Sequence, residues 1–141
     1  MKRTRCIAAL IFIFVSPAVS GLLDRYASNR DVEKWISKWQ KKLDLPGWKI
    51  AGRVAKASEM RADVLGQSDW NVDTKTATVL VLAGDEYDRY SNDVYYDQEL
   101  TVVHELVHIR LSAVSPRAEK DVEESFVVAM SEAIFGRRAK R

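Results

Sequence analysis

The sequence predicts an α+β fold: an N-terminal helix, a small and mainly antiparallel sheet of about three strands, then two helices that close the domain. Three observations predict it. Apolar residues recur at helical spacing from Asp31 to Leu43, and Thr76 to Leu82 is a run rich in β-branched side chains. From Gln98 to Ser112 there is neither glycine nor proline, and Ser115-Pro116 then opens a second helical stretch. A chain of 141 residues holds one domain of this kind.

The first twenty residues stand apart by composition. Lys2, Arg3 and Arg5 precede an apolar run from Cys6 to Val15, and Pro17 leads into Ala18-Val19-Ser20. This is the form of a secretory signal peptide, with cleavage between Ser20 and Gly21 and export to a periplasmic or extracellular compartment. The run is too short for a stable membrane span, so none is expected after cleavage. Removing this leader takes three of the 22 basic residues, leaving 19 against 20 acidic ones. The mild basicity of the whole chain therefore belongs to the leader, and nucleic acid is not an expected partner. Cys6 is the one cysteine, so residues 21–141 have no disulfide and no thiolate ligand.

Within that domain, Gly21 to Asn29 is a lead-in. Val32, Trp35, Ile36, Trp39 and Leu43 then form one face of an amphipathic helix, with Arg30, Lys34, Lys38 and Lys41 outward. At this spacing the two tryptophans read as core rather than as a binding surface. Leu45-Pro46-Gly47 is a turn, after which Trp48, Ile50, Gly52 and Val54 alternate with Lys49, Ala51 and Arg53 as a first strand. Residues 56–73 are ambiguous: Asp63–Gly66 and Trp70–Val72 form two short strands or one irregular one, with Gly66 and Ser68 as breakers. Thr76 to Leu82 is the clearest strand, and an extended substrate adding to it or a plain core role fits it equally. Asp85 to Asp97, with Tyr87, Tyr90, Tyr95 and Tyr96, reads as a polar loop or a rim over a cleft. The last helix runs from the Ser115 cap to Phe135, and Gly136 stops it. Arg137, Arg138, Lys140 and Arg141 then suit the helix dipole, a polyanion-binding tail being the sharper alternative.

The chemistry centres on His104-Glu105-Leu106-Val107-His108, an H-E-x-x-H on a helix that Asp97 can cap. Four residues is one turn, so both imidazoles face one way and can reach one ion, while Glu105 projects about 100° away toward a water on that ion. These are the only histidines of the chain. A chance match is expected only about 0.002 times in a chain of this composition. Leu100, Val103, Val107 and Leu111 flank the histidines, and Val102, Leu106 and Ile109 cover the other side, so the helix is central and buried. Buried imidazoles need partners, and a shared Zn2+ supplies one.

A catalytic zinc takes three protein ligands. With both histidines used and no thiolate left, the third must be a carboxylate, and the last helix offers Glu119, Asp121, Glu123, Glu124 and Glu132. Residues 109–114 contain neither a glycine turn nor a third histidine, which excludes the metzincin pattern. Taking Phe126, Val127, Met130, Ala133 and Ile134 as the buried face puts Glu123 near its middle and Glu124 at its edge. Glu123 is the expected ligand and Glu124 the reserve.

On these residues the chain resembles the gluzincin branch of zinc metallopeptidases, and more narrowly the compact bacterial and phage-type zincin-like peptidases. His104-Glu105-Leu106-Val107-His108 on one helix is followed by Glu123-Glu124-Ser125-Phe126-Val127-Val128 on the next, and Trp48-Lys49-Ile50 and the strand at 78–82 fit the same layout. The resemblance implies zinc held by His104, His108 and Glu123, Glu105 as general base, and a peptide or protein as substrate. Two features depart from it: Arg110 stands where such peptidases are usually apolar, and no downstream His or Tyr offers itself for the oxyanion. Two other readings stay open. One is a non-catalytic module stabilised by zinc, with Trp35, Trp39, Tyr95 and Tyr96 as its binding surface. The other is a zinc hydrolase of a non-peptide amide such as a cell-wall component.

Overall fold

The computed structural model describes residues 26–90, 97–114 and 120–136. The expected leader and its cleavage site, Tyr95 and Tyr96, the Ser115-Pro116 start and the basic residues 137–141 lie outside the described residues. Helix α1 (Asn29–Lys42) begins at a capping box in which the Ser28 hydroxyl and the Asp31 carboxylate each satisfy the other's backbone N–H. Strands β1 (Lys49–Ala55), β2 (Gly66–Asn71) and β3 (Thr76–Leu82) follow. Three helices complete the order: α2 (Gly84–Tyr90), α3 (Gln98–Val114) and α4 (Lys120–Phe135). The fold is α+β, as expected. No helix among the described residues is long and apolar enough to cross a membrane.

The three strands form one sheet in the order β1-β3-β2. Its pairing is mixed: β3 runs antiparallel to β2, but parallel to β1 in the register Gly52↔Val79. The expectation of a mainly antiparallel sheet is thus corrected in one of the two ladders. The reason lies in the connection. Residues 56–65 carry the chain past the place of β3, so the hairpin partner β3 inserts between β1 and β2.

Register decides what faces the helices. Ala77, Val79 and Val81 of β3 are buried, and their partners on that face are Ile50, Gly52 and Val54 on one side and Trp70, Ser68 and Gly66 on the other. Helix α1 covers the β1 side through Val32, Ile36 and Trp39, and α3 lies over β2 and β3 through Val102, Val103, Leu106 and Ile109. The opposite face is exposed at Arg53, Thr78 and Asp69, whereas Ala55 and Leu82 at its end are buried. One core therefore sits between the sheet and the helices, and α4 packs on α3 from outside.

Three local expectations change. Residues 84–90 form a helix rather than a loop, and Tyr87 on it is buried. Residues 66–71 form one continuous strand in which Gly66 and Ser68 are members rather than breakers. The buried face of α4 is Val127 and Ser131 with Ile134 and Phe135 against the core, whereas Phe126 and Met130 are exposed. The Ser131 hydroxyl donates to the Val127 carbonyl at 2.6 Å, so this polar residue enters the core with no unpaired group. Gly136 ends α4 at φ +82°, the left-handed cap conformation that glycine adopts freely. Trp39 is buried, its indole N–H donating to Glu99 Oε1 at 2.7 Å and its ring lying 5.8 Å from that of Phe135. It is core, and is withdrawn from any aromatic binding surface.

Candidate metal centre

Helix α3 starts where Asp97 caps it, its Oδ1 accepting from the Leu100 N–H at 3.0 Å. One turn separates His104 from His108, and their rings meet edge-on with centroids 4.9 Å apart. Both are half-buried under the start of α4. Their Nε2 atoms converge to 3.2 Å. The Glu124 carboxylate completes a triangle, with 3.1 Å from Oε1 to His104 Nε2 and 3.2 Å from Oε2 to His108 Nε2. His104, His108 and Glu124 are the group that could hold a metal ion, with ligand atoms all within 4.8 Å of one another.

The donor set fits zinc on two counts. A tetrahedral ion with bonds of about 2.0–2.1 Å has donor–donor edges of about 3.3 Å. The two Nε2 atoms keep that spacing, and the Glu124 carboxylate meets each of them at it through a different oxygen. The second count is electrostatic. Glu123 Oε1 lies 2.9 Å from His108 Nδ1, and a carboxylate can only accept there, so Nδ1 carries the proton. Nε2 is then the His108 atom turned toward Glu124 and His104, and a cation among the three relieves that convergence. Burial holds His104 below the ordinary imidazole value, against the pull of Glu124 in the other direction, which keeps a nitrogen lone pair ready for a metal.

The structure separates the two adjacent glutamates. Glu124, the reserve, faces the histidine Nε2 atoms, whereas Glu123, the expected ligand, stands behind His108 and holds its other nitrogen. The stripe of α4 explains this. Glu123 lies four residues before Val127, in line with the buried side, and its carboxylate meets the imidazole from the back, at Nδ1. Glu124 is rotated by about 100°, is 54% exposed, and reaches over the ring edges. Carboxylate–histidine pairs of the Glu123 kind fix the tautomer and aim of a metal-binding ring.

Glu105 is 6% exposed, one-quarter turn from the histidines. Its Oε2 accepts from the Ser68 hydroxyl at 2.5 Å. Burial raises its proton affinity above the ordinary carboxyl value, opposed by that hydrogen bond and by the nearby His108 and Arg61. Ser68 carries no motif signal. The strand-breaking residues Gly66 and Ser68 inside an otherwise extended stretch were its only mark in the sequence. Gly66 belongs to the same contact: a Cβ there would lie 2.6 Å from both Glu105 Oε1 and Thr101 Cγ2. Gly66→Ala should therefore lower stability by about 1–3 kcal/mol, read as an earlier midpoint in urea unfolding.

A cleft of about 990 Å³ opens over these groups. Its walls are residues 61–70 on one side and Asp97, Leu100, Thr101, His104, Glu105 and His108 of α3 on the other, with Glu123 and Glu124 at one end. Arg110, the residue that departs from the peptidase pattern, points elsewhere, 3.9 Å from Asp44 beyond α1. Comparisons with family models, with curated proteins and with solved structures find no match to the chain.

Proposed function

We propose that the protein is a zinc-dependent peptide hydrolase of the gluzincin kind, with His104, His108 and Glu124 as ligands and Glu105 as general base. The observation that carries this reading is the triangle of two Nε2 atoms and a carboxylate at tetrahedral-edge spacing, with a buried carboxylate of raised proton affinity beside it. When bound, zinc supplies Lewis acidity to a water and to a scissile carbonyl. Glu105 would take the proton of the attacking water and return it to the leaving amine, a task that suits a buried carboxyl of raised proton affinity. Glu123 keeps His108 oriented, and the apolar sheet face and α3 exclude water from beneath.

The substrate strand belongs on β2. β3 is hydrogen-bonded on both sides and has no edge to offer, which overturns the docking expected along 76–82. β2 pairs with β3 alone among the described residues, and it lines the cleft. The lining also carries Asp63, Asp69, Asp97, Glu105, Glu123 and Glu124 against the single guanidinium of Arg61, itself paired to Asp69 at 3.1 Å. A divalent ion leaves that lining negative, so lysine- and arginine-rich peptides are the favoured substrates. In a library assay, basic peptides should be cleaved with kcat/KM about tenfold above acidic ones at low salt, the gap narrowing at high ionic strength.

The test is zinc content and cleavage together. Residues 21–141 purified without added metal should carry about one zinc per chain, His104→Ala should carry none, and the zinc form should cleave peptides. Zinc without peptide cleavage, but with release of a cell-wall amide, would assign the same centre to the other hydrolase class. Absence of zinc from folded parent protein, even after zinc is added, overturns the reading.

A further inference from the structure

We infer that Ser68 is a positioning residue for Glu105, which rests on the hydrolase reading and extends it to the strand that lines the cleft. Ser68 is 7% exposed and sits on the inward face of β2, opposite Val79. Its hydroxyl donates to Glu105 Oε2 at 2.5 Å, at the short end of hydroxyl–carboxylate distances. The other oxygen, Oε1, lies against the bare Cα of Gly66, where a side chain would intrude to 2.6 Å. The base is thus held on both oxygens by two residues of one strand, Ser68 by a bond and Gly66 by contact. Thr101, one turn earlier on α3, closes the same wall, and its hydroxyl is committed to the Asp97 carbonyl at 3.0 Å.

A glutamate side chain has three rotatable bonds, and a loose carboxylate at a cleft wall samples several rotamers. General-base catalysis needs the carboxylate within hydrogen-bond reach of one water, and a displacement of about 1 Å can cost about a hundredfold. The Ser68 bond removes that freedom. Because β2 is also an edge strand of the sheet among the described residues and lines the cleft, the element that would align the substrate is the one that aims the base. Any shift of β2 toward or away from α3 moves both together.

Ser68→Ala and Ser68→Thr, compared with the parent in the zinc-loaded full chain, test this. Both variants should bind zinc as the parent does. Ser68→Ala should lose about tenfold to a hundredfold in kcat with KM held within about twofold, and Ser68→Thr, which keeps the hydroxyl, should recover most of it. A readout independent of turnover is carboxyl-carbon NMR of metal-free protein labelled at glutamate. One signal, assigned by its absence from Glu105→Gln, should move in Ser68→Ala but stay in Ser68→Thr. An unchanged kcat in Ser68→Ala, or a Glu105 signal that does not move, overturns the inference. A parent that binds zinc and hydrolyses nothing removes the hydrolase reading alone, and the carboxyl signal then decides whether Ser68 holds Glu105.

Discussion

Glu105→Gln should keep its zinc and lose hydrolysis by at least about a hundredfold, since a positioned general base contributes about 10²–10⁴-fold. The variant removes the proton acceptor while retaining an oxygen for the Ser68 hydroxyl, so the cleft keeps its shape. Elemental analysis and a peptide-cleavage rate on the same sample check it, and surviving activity would displace Glu105 from its role. The same change should stabilise the metal-free protein at neutral pH. Burial raises the Glu105 carboxyl above its ordinary value of 4.5. The folded state then holds the proton more tightly than the unfolded chain. Stability is therefore full below the ordinary value and falls as pH rises through the raised one. Glutamine has no such fall. Metal-free Glu105→Gln should melt above the parent at pH 7 and lose that advantage in acid, the pattern of a residue kept for chemistry at the expense of stability.

Whatever depends on neighbours in the chain was legible from residues alone. His104 and His108 share a helix face because four residues is one turn, and the Asp97 cap and the 76–82 strand follow from local chemistry in the same way. What escaped was set across the fold. Gly66 and Ser68 lower strand propensity and so looked like breaks, yet both are inside β2: at Gly66 a Cβ would meet Thr101 and Glu105 of α3, and at Ser68 the hydroxyl bonds Glu105. The parallel β1–β3 ladder was hidden because strand order is decided by which strand the hairpin inserts, and no local signal reports that. On α4 the phase was misjudged at Ser131, whose hydroxyl bonds its own backbone and lets it pass for apolar. Counting Phe126 and Met130 as buried instead widened the stripe toward the wrong side. The two glutamates were both in view, and Glu123 does fall toward the buried side. Which nitrogen of His108 each carboxylate meets is set by the packing of α4 on α3, not by neighbours in the chain.

Those roles give the second large effect. Glu124→Gln should empty the centre, with zinc falling from about one per chain to near none. It replaces the anionic member of the triangle by a neutral amide, whose –NH2 can present donors where two lone pairs already converge. Glu123→Gln should behave differently. Its amide oxygen can still accept from His108 Nδ1–H, but without the charge that makes the ring a stronger ligand, so zinc should stay bound with affinity weakened about tenfold to a hundredfold. Competition with a coloured chelator resolves the two, because one variant shifts the titration and the other abolishes it. Loss of zinc from Glu123→Gln together with retention in Glu124→Gln would mean that the two carboxylates exchange places when the ion binds. The 54% exposure of Glu124 argues against that exchange. Glu124 already lies beside both Nε2 atoms and, being half exposed, can adjust to an ion at little cost. Glu123 would first have to release a 2.9 Å bond in a half-buried site and leave the Nδ1 proton without an acceptor.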